Sequence, residues 1–222
     1  TDDVLHIPAA AAHVLQVAAA AHCLHQGKEH HHGLGADALN AEAAAKIYAA
    51  KGRPSDNPLI VHITNMEDLL KITKNVSKEA FKVAEEYWPG PLTMIFEKNE
   101  KVPYGTTGGL NTVAVRMPSH EIARAVINAG GGYIAAPSAN TSGRPSPTTA
   151  EHVRVDLEGK IDMILDGGDV EIGVESTILD MTVTPPMILR PGAVTKEMLE
   201  DLIGEVAEDV ALIDPDSKKK PK

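Results

Sequence analysis

The feature that most constrains the fold is an irregular alternation of helix-like and strand-like segments between residues 37 and 204. Short apolar runs such as PLIVHI (58–63) are typical of buried strands, whereas SKEAFKVAEEYW (77–88) has the apolar spacing of an amphipathic helix. The segments follow no regular βαβ count, and several strands succeed one another directly. The sequence therefore predicts an α/β layer fold around a mixed sheet rather than a strictly parallel one.

The same patterns set the expected elements. Helices are predicted over 9–17, 37–52, 65–73, 77–88, 119–130, 148–159 and 195–204, and strands over 19–26, 58–63, 88–98, 112–118, 132–140, 161–168, 176–182 and 187–192. The helix over 37–52 has the clearest boundaries, because Asn40 can cap its start and Gly52 can end it. We expect one domain over residues 1–208, followed by a polar tail or the start of an interdomain linker over residues 209–222.

Composition narrows the class of protein. The 222 residues are 43% hydrophobic, which is enough to bury a full core. No apolar run approaches the roughly 18 residues of a membrane span, and the N-terminal residues lack a signal-peptide layout. The single cysteine, Cys23, cannot form an internal disulfide. We therefore expect a cytoplasmic protein without a membrane partner. The net charge of −10 argues against a general nucleic-acid binder but permits a local basic pocket.

Two cations precede the turn that leads into the strand over 58–63. In AKGRPSDNPLIVHI (50–63), Lys51 and Arg53 lie at the end of the predicted helix, where the helix dipole favours cations in any case. A solvated helix end explains them as well as an anion site does. The anion site gains support from Ser55 and Asn57 in the same turn, and from the ability of a guanidinium to fork onto phosphate.

Three further polar turns lie at strand ends. AAPSANTSGRPSPT (135–148) places short hydroxyl and amide side chains after an apolar strand, as in a phosphate cradle or in an ordinary polar loop. VESTILD (174–180) and ILRPGAV (188–194) add Ser176 and Arg190, the latter also explicable as a surface ion-pair partner. TGGLNTVAVRMP (107–118) carries Thr112 and Arg116, and an inward Arg116 needs an anion to pair with. Together these turns favour an anionic ligand.

In order and spacing, these segments resemble the YrdC-type threonylcarbamoyl-AMP synthase family. The resemblance is carried by KGRPSDNPLIVHI, WPGPLT, GGLNTVAVRMP, PSANTSGRPSPTTAEHV, ESTILD and ILRPGAV, and it covers residues 33–203. It implies a twisted mixed α/β fold around a basic cavity. It also implies that L-threonine, bicarbonate and ATP are converted to threonylcarbamoyl-AMP and pyrophosphate, for threonylcarbamoyladenosine modification of tRNA by downstream transfer proteins.

The resemblance also assigns roles to residues. The implied catalytic residues are Lys51 and Arg53. The implied ATP or adenylate ligands are Lys51, Arg53, Asn57, Thr112, Ser138, Asn140, Ser176 and Arg190. The implied threonine ligands are His32, His62, Arg116 and Ser176. Mg²⁺ is expected with ATP, held largely by phosphate oxygens and water.

The segment GKEHHHGLG (27–35) departs from the family pattern. The family's two threonines fall on Lys28 and His30 and its tyrosine falls on His32, in a segment that normally walls the threonine site. An altered amino-acid pocket and an unnatural segment over 1–32, where seven of the ten histidines lie, both explain this departure. A metal site from Glu29, Cys23, His25 and His30 to His32 is a third explanation. Neighbouring histidines on a strand point to opposite faces of the sheet, so at most two of the three could bind the same metal ion. We therefore predict no protein metal site.

Two other functions are compatible with the same segments. A non-catalytic paralogue could bind nucleotide or RNA, including weak tRNA binding, through the same basic cavity, although the negative net charge disfavours broad RNA affinity. A module that forms a carbamoyl-adenylate from another substrate is the second alternative. The family also has a long form, in which a linker leads to a smaller second domain, and DPDSKKKPK (214–222) resembles the start of that linker.

Overall fold

The computed structural model describes residues 32–166, 175–209 and 212. Within these residues, eight strands form one sheet in the order β1-β5-β2-β4-β3-β6-β7-β8. The strands are β1 (Ala36–Asp37), β2 (Ile60–His62), β3 (Leu92–Glu97), β4 (Thr112–Arg116), β5 (Ile134–Ala135), β6 (Thr177–Asp180), β7 (Met187–Arg190) and β8 (Ala207–Glu208). The helices of the described part are α1 (Ala41–Lys51), α2 (Met66–Ile72), α3 (Lys78–Tyr87), α4 (Glu121–Ala129), α5 (Ala150–Leu157) and α6 (Lys196–Ile203).

The sheet is mixed, as the sequence predicts. β2 pairs in parallel with β4 and in antiparallel with β5, while β3 pairs in antiparallel with β4 and in parallel with β6. β6 continues in antiparallel to β7, which pairs in parallel with β8. The predicted α/β class and mixed sheet with flanking helices are therefore confirmed.

Helix α1 begins and ends where its sequence predicts. The side chain of Asn40 accepts hydrogen bonds from the backbone N–H groups of Glu42 and Ala43, which have no partner within the helix. Gly52 ends the helix in the left-handed conformation, with φ of 59°. This glycine turns the chain immediately before Arg53, so the helix end fixes the start of the cationic turn.

The main apolar core lies between the sheet and the helices. Ile47 of α1, Leu69 of α2, Met94 of β3 and Leu179 of β6 each have at most 1% of their surface exposed. Burial of this kind, about 1.5–3 kcal/mol for each large side chain, is the main force that holds the helices against the sheet. Trp88 belongs to the same core, and its indole N–H donates to the carbonyl of Leu92 at 2.7 Å.

Several predicted elements differ from the structure. The strand predicted over 161–168 is wrong, since residues 161–166 form no strand and Gly167 and Gly168 lie outside the described residues. The strand predicted over 132–140 shortens to β5, because Pro137 and the loop after it leave the sheet, and β8 was not predicted. The helix over 9–17 and the strand over 19–26 lie outside the described residues. Among the described helices, none is long and apolar enough to cross a bilayer.

Candidate functional site

Five strands place side chains in one row across the sheet. The register aligns His62 of β2 with Arg116 of β4, Arg116 with Thr93 of β3, Thr93 with Ile178 of β6, and Ile178 with Arg190 of β7. Directly paired residues lie on the same face of a sheet. The row therefore brings together two arginines and a histidine that are distant in sequence. They lie on one face of the sheet, at one end of the strands.

This row forms part of a cavity of about 430 Å³. The floor is apolar and comes from neighbouring strands, with Ile60, Ile95, Ala114 and Ile178 among its residues. The charged and polar lining residues are Arg53, Asn57, His62, Arg116, Ser138, Glu175, Ser176 and Arg190. Of the described lining residues, three carry a guanidinium and one carries a carboxylate. This excess of positive charge over an apolar floor suits an anionic ligand.

Arg53 enters the cavity from the turn after α1. Its backbone N–H donates to the carbonyl of Tyr48 at 3.1 Å, and the Tyr48 hydroxyl donates to the carbonyl of Asn57 at 2.9 Å, so both ends of the turn are held. The buried Arg53 Nε has no hydrogen-bond partner within the described part of the chain. Burial lowers the pKa of this guanidinium, an effect that Tyr48 and Asp56 partly oppose. A buried donor without a partner is unfavourable unless a ligand supplies the acceptor.

Lys51 is held by the loop that follows β5. Its ammonium donates to the carbonyl oxygen of Ser138, to the carbonyl oxygen of Asn140 at 2.6 Å and to Asn140 Oδ1 at 3.2 Å. An ammonium has three protons, and these bonds engage all of them. Burial, with a contribution from Arg53, lowers the pKa of Lys51 to about 8, while Asp156 opposes the shift. Lys51 therefore shapes the loop beneath the cavity rather than lining the cavity wall.

The same loop is tied from its other side by α5. Asn140 Nδ2 donates to the carbonyl of Arg144 at 2.7 Å, and Ser138 Oγ donates to Asn140 Oδ1 at 2.6 Å. Asp156 of α5 accepts from the backbone N–H and the hydroxyl of Thr141, both at 3.3 Å, and forms an ion pair with Arg144. Burial raises the pKa of Asp156, but the bonds from Thr141 and Arg144 outweigh it and lower the pKa overall.

Another part of the cavity lining is built around Ser176 and Arg190. Arg190 Nε donates to the carbonyl of Ser176 at 3.0 Å, Nη2 donates to Ser176 Oγ at 3.0 Å, and Nη1 donates to Glu175 Oε2 at 2.6 Å. Ser176 Oγ also lies 2.9 Å from the hydroxyl of Thr93. Burial lowers the pKa of Arg190, Glu175 raises it, and the like charge of Arg116 lowers it. Both guanidiniums line this cavity.

His62 and Arg116 form the deeper end of the row. His62 Nδ1 lies 3.1 Å from the carbonyl oxygen of Ile60, and a carbonyl can only accept, so Nδ1 carries the proton. In the neutral ring the lone pair is then on Nε2. Arg116 is 3% exposed, and its Nε donates to the carbonyl of Gly90 at 3.3 Å. The turn in WPGPLT thus positions the arginine.

Four residues predicted for the site do not line the described cavity: Lys51 and Asn140, which hold the loop after β5, and Thr112 and His32. Thr112 is at the opposite end of β4 from Arg116 and lines a second cavity that contains Lys98 and Tyr104. His32 is fully buried, with Nδ1 at 3.2 Å from the carbonyl of Pro147 and its own carbonyl accepting from the N–H of Ala139 at 2.7 Å. His32 supports the loop after β5 rather than lining the described cavity. Its predicted threonine contact and the predicted ATP contact of Thr112 stay predictions.

The family model described as "Telomere recombination", for Sua5, YciO and YrdC proteins, matches residues 29–192. The chain belongs to this family. Among curated relatives, the threonylcarbamoyl-AMP synthase of Pyrococcus abyssi is 54% identical over 175 residues, which cover 79% of this chain and 52% of the relative. The threonylcarbamoyl-AMP synthase of Bacillus subtilis is 50% identical over 188 residues, which cover 84% of this chain and 54% of the relative.

A solved member of the family has the same fold. The crystal structure of P. abyssi Sua5 complexed with L-threonine matches with a TM-score of 0.87 at 47% identity, over 96% of this chain and 62% of that chain. The chain spans about half the length of these two curated relatives. The predicted family and the YrdC-like fold are confirmed.

Sequence reasoning missed two carboxylates of the site. Glu175 lines the cavity and Asp156 holds the loop after β5, and neither was predicted for the site. Glu175 directly precedes Ser176, so its position next to a predicted ligand was the available signal. Nothing in the sequence distinguishes Asp156 from the other acidic residues near α5, because its role arises from tertiary contacts with Thr141 and Arg144.

Proposed function

We propose that this chain makes threonylcarbamoyl-AMP from L-threonine, bicarbonate and ATP, with release of pyrophosphate. The observation that carries the proposal is that Arg53, Arg116 and Arg190 line one cavity. His62, which is paired with Arg116 across two strands, lines the same cavity. The names of the relatives and the L-threonine complex of P. abyssi Sua5 support L-threonine as a substrate. The enzymatic activity, the substrates and the partners belong to this proposal.

ATP is the ligand that best suits the outer part of the cavity. A triphosphate carries several negative charges, and Arg53 and Arg190, which both line the cavity, can donate to its oxygens. Arg53 Nε, which is buried without a partner among the described residues, would gain an acceptor. Asn57 and Ser138 add an amide and a hydroxyl to the same cavity. Lys51 contributes its charge and holds the loop that carries Ser138.

L-Threonine suits the deeper end. Its carboxylate would pair with Arg116, which is buried and lines the cavity. Its hydroxyl would donate to Nε2 of His62, the nitrogen that bears the lone pair in the neutral ring. Ser176, between Thr93 and Arg190, lies where the amino acid and the phosphates would meet.

The chemistry requires positioning and charge rather than a protein nucleophile. The neutral amine of threonine adds to bicarbonate with loss of water, or to CO₂ with loss of a proton, to give a carbamate. A carbamate oxygen then attacks the α-phosphorus as pyrophosphate leaves. Fixed guanidiniums stabilise the carbamate and the charge that develops on the phosphoryl oxygens. Holding both substrates over an apolar floor brings the reacting atoms together and excludes competing water.

Mg²⁺ is proposed as a cofactor that enters with ATP. The described residues contain no group of three side chains suited to hold a metal ion, and Glu175 is the one described lining residue with a carboxylate. Such a donor set fits an ion held chiefly by phosphate oxygens and water, as is usual for Mg²⁺ with nucleotides. The ion would neutralise part of the triphosphate charge.

Threonylcarbamoyl-AMP is a reactive mixed anhydride, so a second protein has to use it soon after release. We propose that transfer proteins carry its threonylcarbamoyl group to an adenosine of tRNA, and that the reaction takes place in the cytoplasm.

The test is pyrophosphate release from ATP, measured with and without L-threonine and bicarbonate, together with mass detection of threonylcarbamoyl-AMP. Release that requires both substrates is expected. ATP binding without threonine-dependent release would contradict the proposal and favour a nucleotide-binding paralogue. Release with another carbamoyl donor but not with threonine would favour a carbamoyl-adenylate module. Arg154→Ala is the control variant, because Arg154 is exposed on α5 and pairs only with the exposed Glu151 in the described contacts.

A further inference from the structure

Glu175 is an unexpected group in a cavity suited to anions. Its carboxylate lies 2.6 Å from Arg190 Nη1, and it is the one carboxylate among the described lining residues. More than half of its side-chain surface, 58%, is exposed, against 33% for Arg190. A carboxylate in this position repels the phosphates that the cavity is proposed to bind, so its presence requires a reason.

The bonds of Arg190 indicate that reason. Nε and Nη2 both hold Ser176, which fixes the plane of the guanidinium and leaves Nη1 as the group that Glu175 contacts. Arg116 is close enough to lower the pKa of Arg190 by charge repulsion, and Glu175 acts in the opposite direction. A phosphate oxygen at Nη1 would supply the same negative charge at the same donor.

We propose that Glu175 is an internal placeholder for phosphate: it occupies Arg190 Nη1 before a polyphosphate binds, and the polyphosphate displaces it. This inference rests on the proposed function, because it assigns Arg190 to the phosphates of ATP. In this role Glu175 offsets the repulsion between the positive charges of Arg116 and Arg190, while the bonds to Ser176 hold the guanidinium in place. It also lowers the affinity for phosphate, since each ligand must first break the ion pair.

The exposure of Glu175 limits the strength of this competition. Exposed ion pairs are weak, so displacement should reduce phosphate affinity only about two- to fivefold. The reduction should be equal for every ligand that uses Arg190, whatever its other contacts, because the same pair is broken each time. It should also depend on Arg190, and this dependence separates a placeholder from a general effect of one negative charge near the cavity.

The experiment is isothermal titration of ATP and of inorganic tripolyphosphate, in EDTA so that no divalent cation contributes. Glu175→Gln should bind both ligands about two- to fivefold more tightly than the wild type. Glu175→Ala repeats the test without an amide next to Arg190. Glu151→Gln is the matched control, because it removes an exposed carboxylate whose described ion-pair partner is Arg154 on the same helix. It should leave both affinities unchanged.

A double-mutant cycle with Arg190→Gln completes the test. In the Arg190→Gln background, Glu175→Gln should change neither affinity, because no guanidinium remains to be occupied. Equal gains in affinity in both backgrounds would overturn the inference. Unchanged or weaker binding by Glu175→Gln and Glu175→Ala would overturn it too, as would a wild-type protein that binds neither ligand. Wild-type binding without threonine-dependent pyrophosphate release would instead count against the proposed function, and the cycle would still decide the role of Glu175.

Discussion

At the scale of single residues, Arg53 is the most direct test of the anion site. Its Nε is buried and has no hydrogen-bond partner in the described part of the chain, so a bound phosphate would complete its contacts. Arg53→Ala should weaken ATP binding about 10- to 100-fold, the range expected for the loss of a charge-assisted hydrogen bond. Isothermal titration measures this change, with Arg154→Ala as the exposed-arginine control.

The stability of the same variant separates a ligand contact from a structural role. A buried N–H group without a hydrogen-bond partner, such as Arg53 Nε among the described residues, does not favour folding, so Arg53→Ala should unfold at the same temperature as the wild type or slightly higher. A large loss of thermal stability with ATP affinity retained would mean that Arg53 supports the fold instead.

Lys51 gives a prediction about pH. Its pKa is lowered to about 8 by burial and by Arg53, with Asp156 opposing the shift. A bound polyphosphate favours the charged ammonium and raises this pKa, so the complex holds more protons than the free protein above about pH 8. By linkage, ATP affinity must fall as pH rises through that range, by about three- to tenfold between about pH 7.5 and about pH 9.5. Titration calorimetry across this range measures the slope.

Lys51→Met is the control for that slope. The variant lacks the titrating ammonium, so its ATP affinity should be lower but nearly independent of pH over the same range. It should also be less stable by about 1–3 kcal/mol, because the buried carbonyl oxygens of Ser138 and Asn140 lose their donor. An equal pH slope in both proteins would assign the titration to another group.

The residue scale also marks a limit of prediction from sequence. Lys51 and Arg53 are two residues apart and were predicted as a pair of phosphate ligands. The structure directs Arg53 into the cavity and Lys51 onto Ser138 and Asn140, which lie 87 and 89 residues further along the chain. The direction of each side chain depends on where that distant loop lies, and no local pattern contains this information.

At the scale of elements, local signals were sufficient where capping chemistry is strong. Asn40 and Gly52 bound α1 as predicted, because their side-chain and backbone preferences act within one turn. Apolar runs alone were less reliable. The segment over 161–166 has the composition of a strand but forms none, and its Ile161 and Ile164 pack against the core without joining the sheet. Burial and strand pairing both favour apolar residues, so composition does not separate them.

The turn after β7 gives a prediction at the element scale. A Cβ on Gly192 would overlap backbone atoms of Glu175, Ser176 and Thr177, and backbone cannot move aside as a flexible side chain can. Gly192→Ala should therefore destabilise the protein by about 1–3 kcal/mol and displace Ser176, with loss of ATP and threonine binding. Thermal denaturation and titration calorimetry measure the two effects.

Gly105→Ala is the matched control for this substitution. The nearest atoms to a Cβ at Gly105 belong to Ala41, at 3.6 Å, which is ordinary van der Waals contact. Its stability should change by no more than about 0.5 kcal/mol, and its ligand affinities should not change. If Gly192→Ala and Gly105→Ala had the same stability and the same ligand affinities, close packing of Gly192 against residues 175–177 would not be what positions Ser176.

At the scale of the whole molecule, charge is divided between the surface and the cavity. The chain has a net charge of −10, yet the described cavity lining has three arginines and one glutamate. The composition gives the net charge. The strand register is needed to show that positive side chains gather on one face of the sheet, at one end of the strands. That register aligns His62, Arg116 and Arg190, which are separated by 54 and 74 residues in sequence.

This division of charge predicts that the chain binds a small polyphosphate but binds tRNA poorly. A long nucleic acid meets the acidic surface as well as the cavity, and its affinity rests on neutralising many phosphates at once. Fluorescence anisotropy with labelled tRNA should give a dissociation constant weaker than about 10 μM at about 0.15 M salt. ATP binding under the same conditions should persist, because its contacts lie inside the cavity and are less screened by salt. Saturable tRNA binding that is much tighter than this and persists in Arg53→Ala would mean that a surface outside the cavity recognises RNA. The nucleic-acid-binding alternative would then have to be reconsidered.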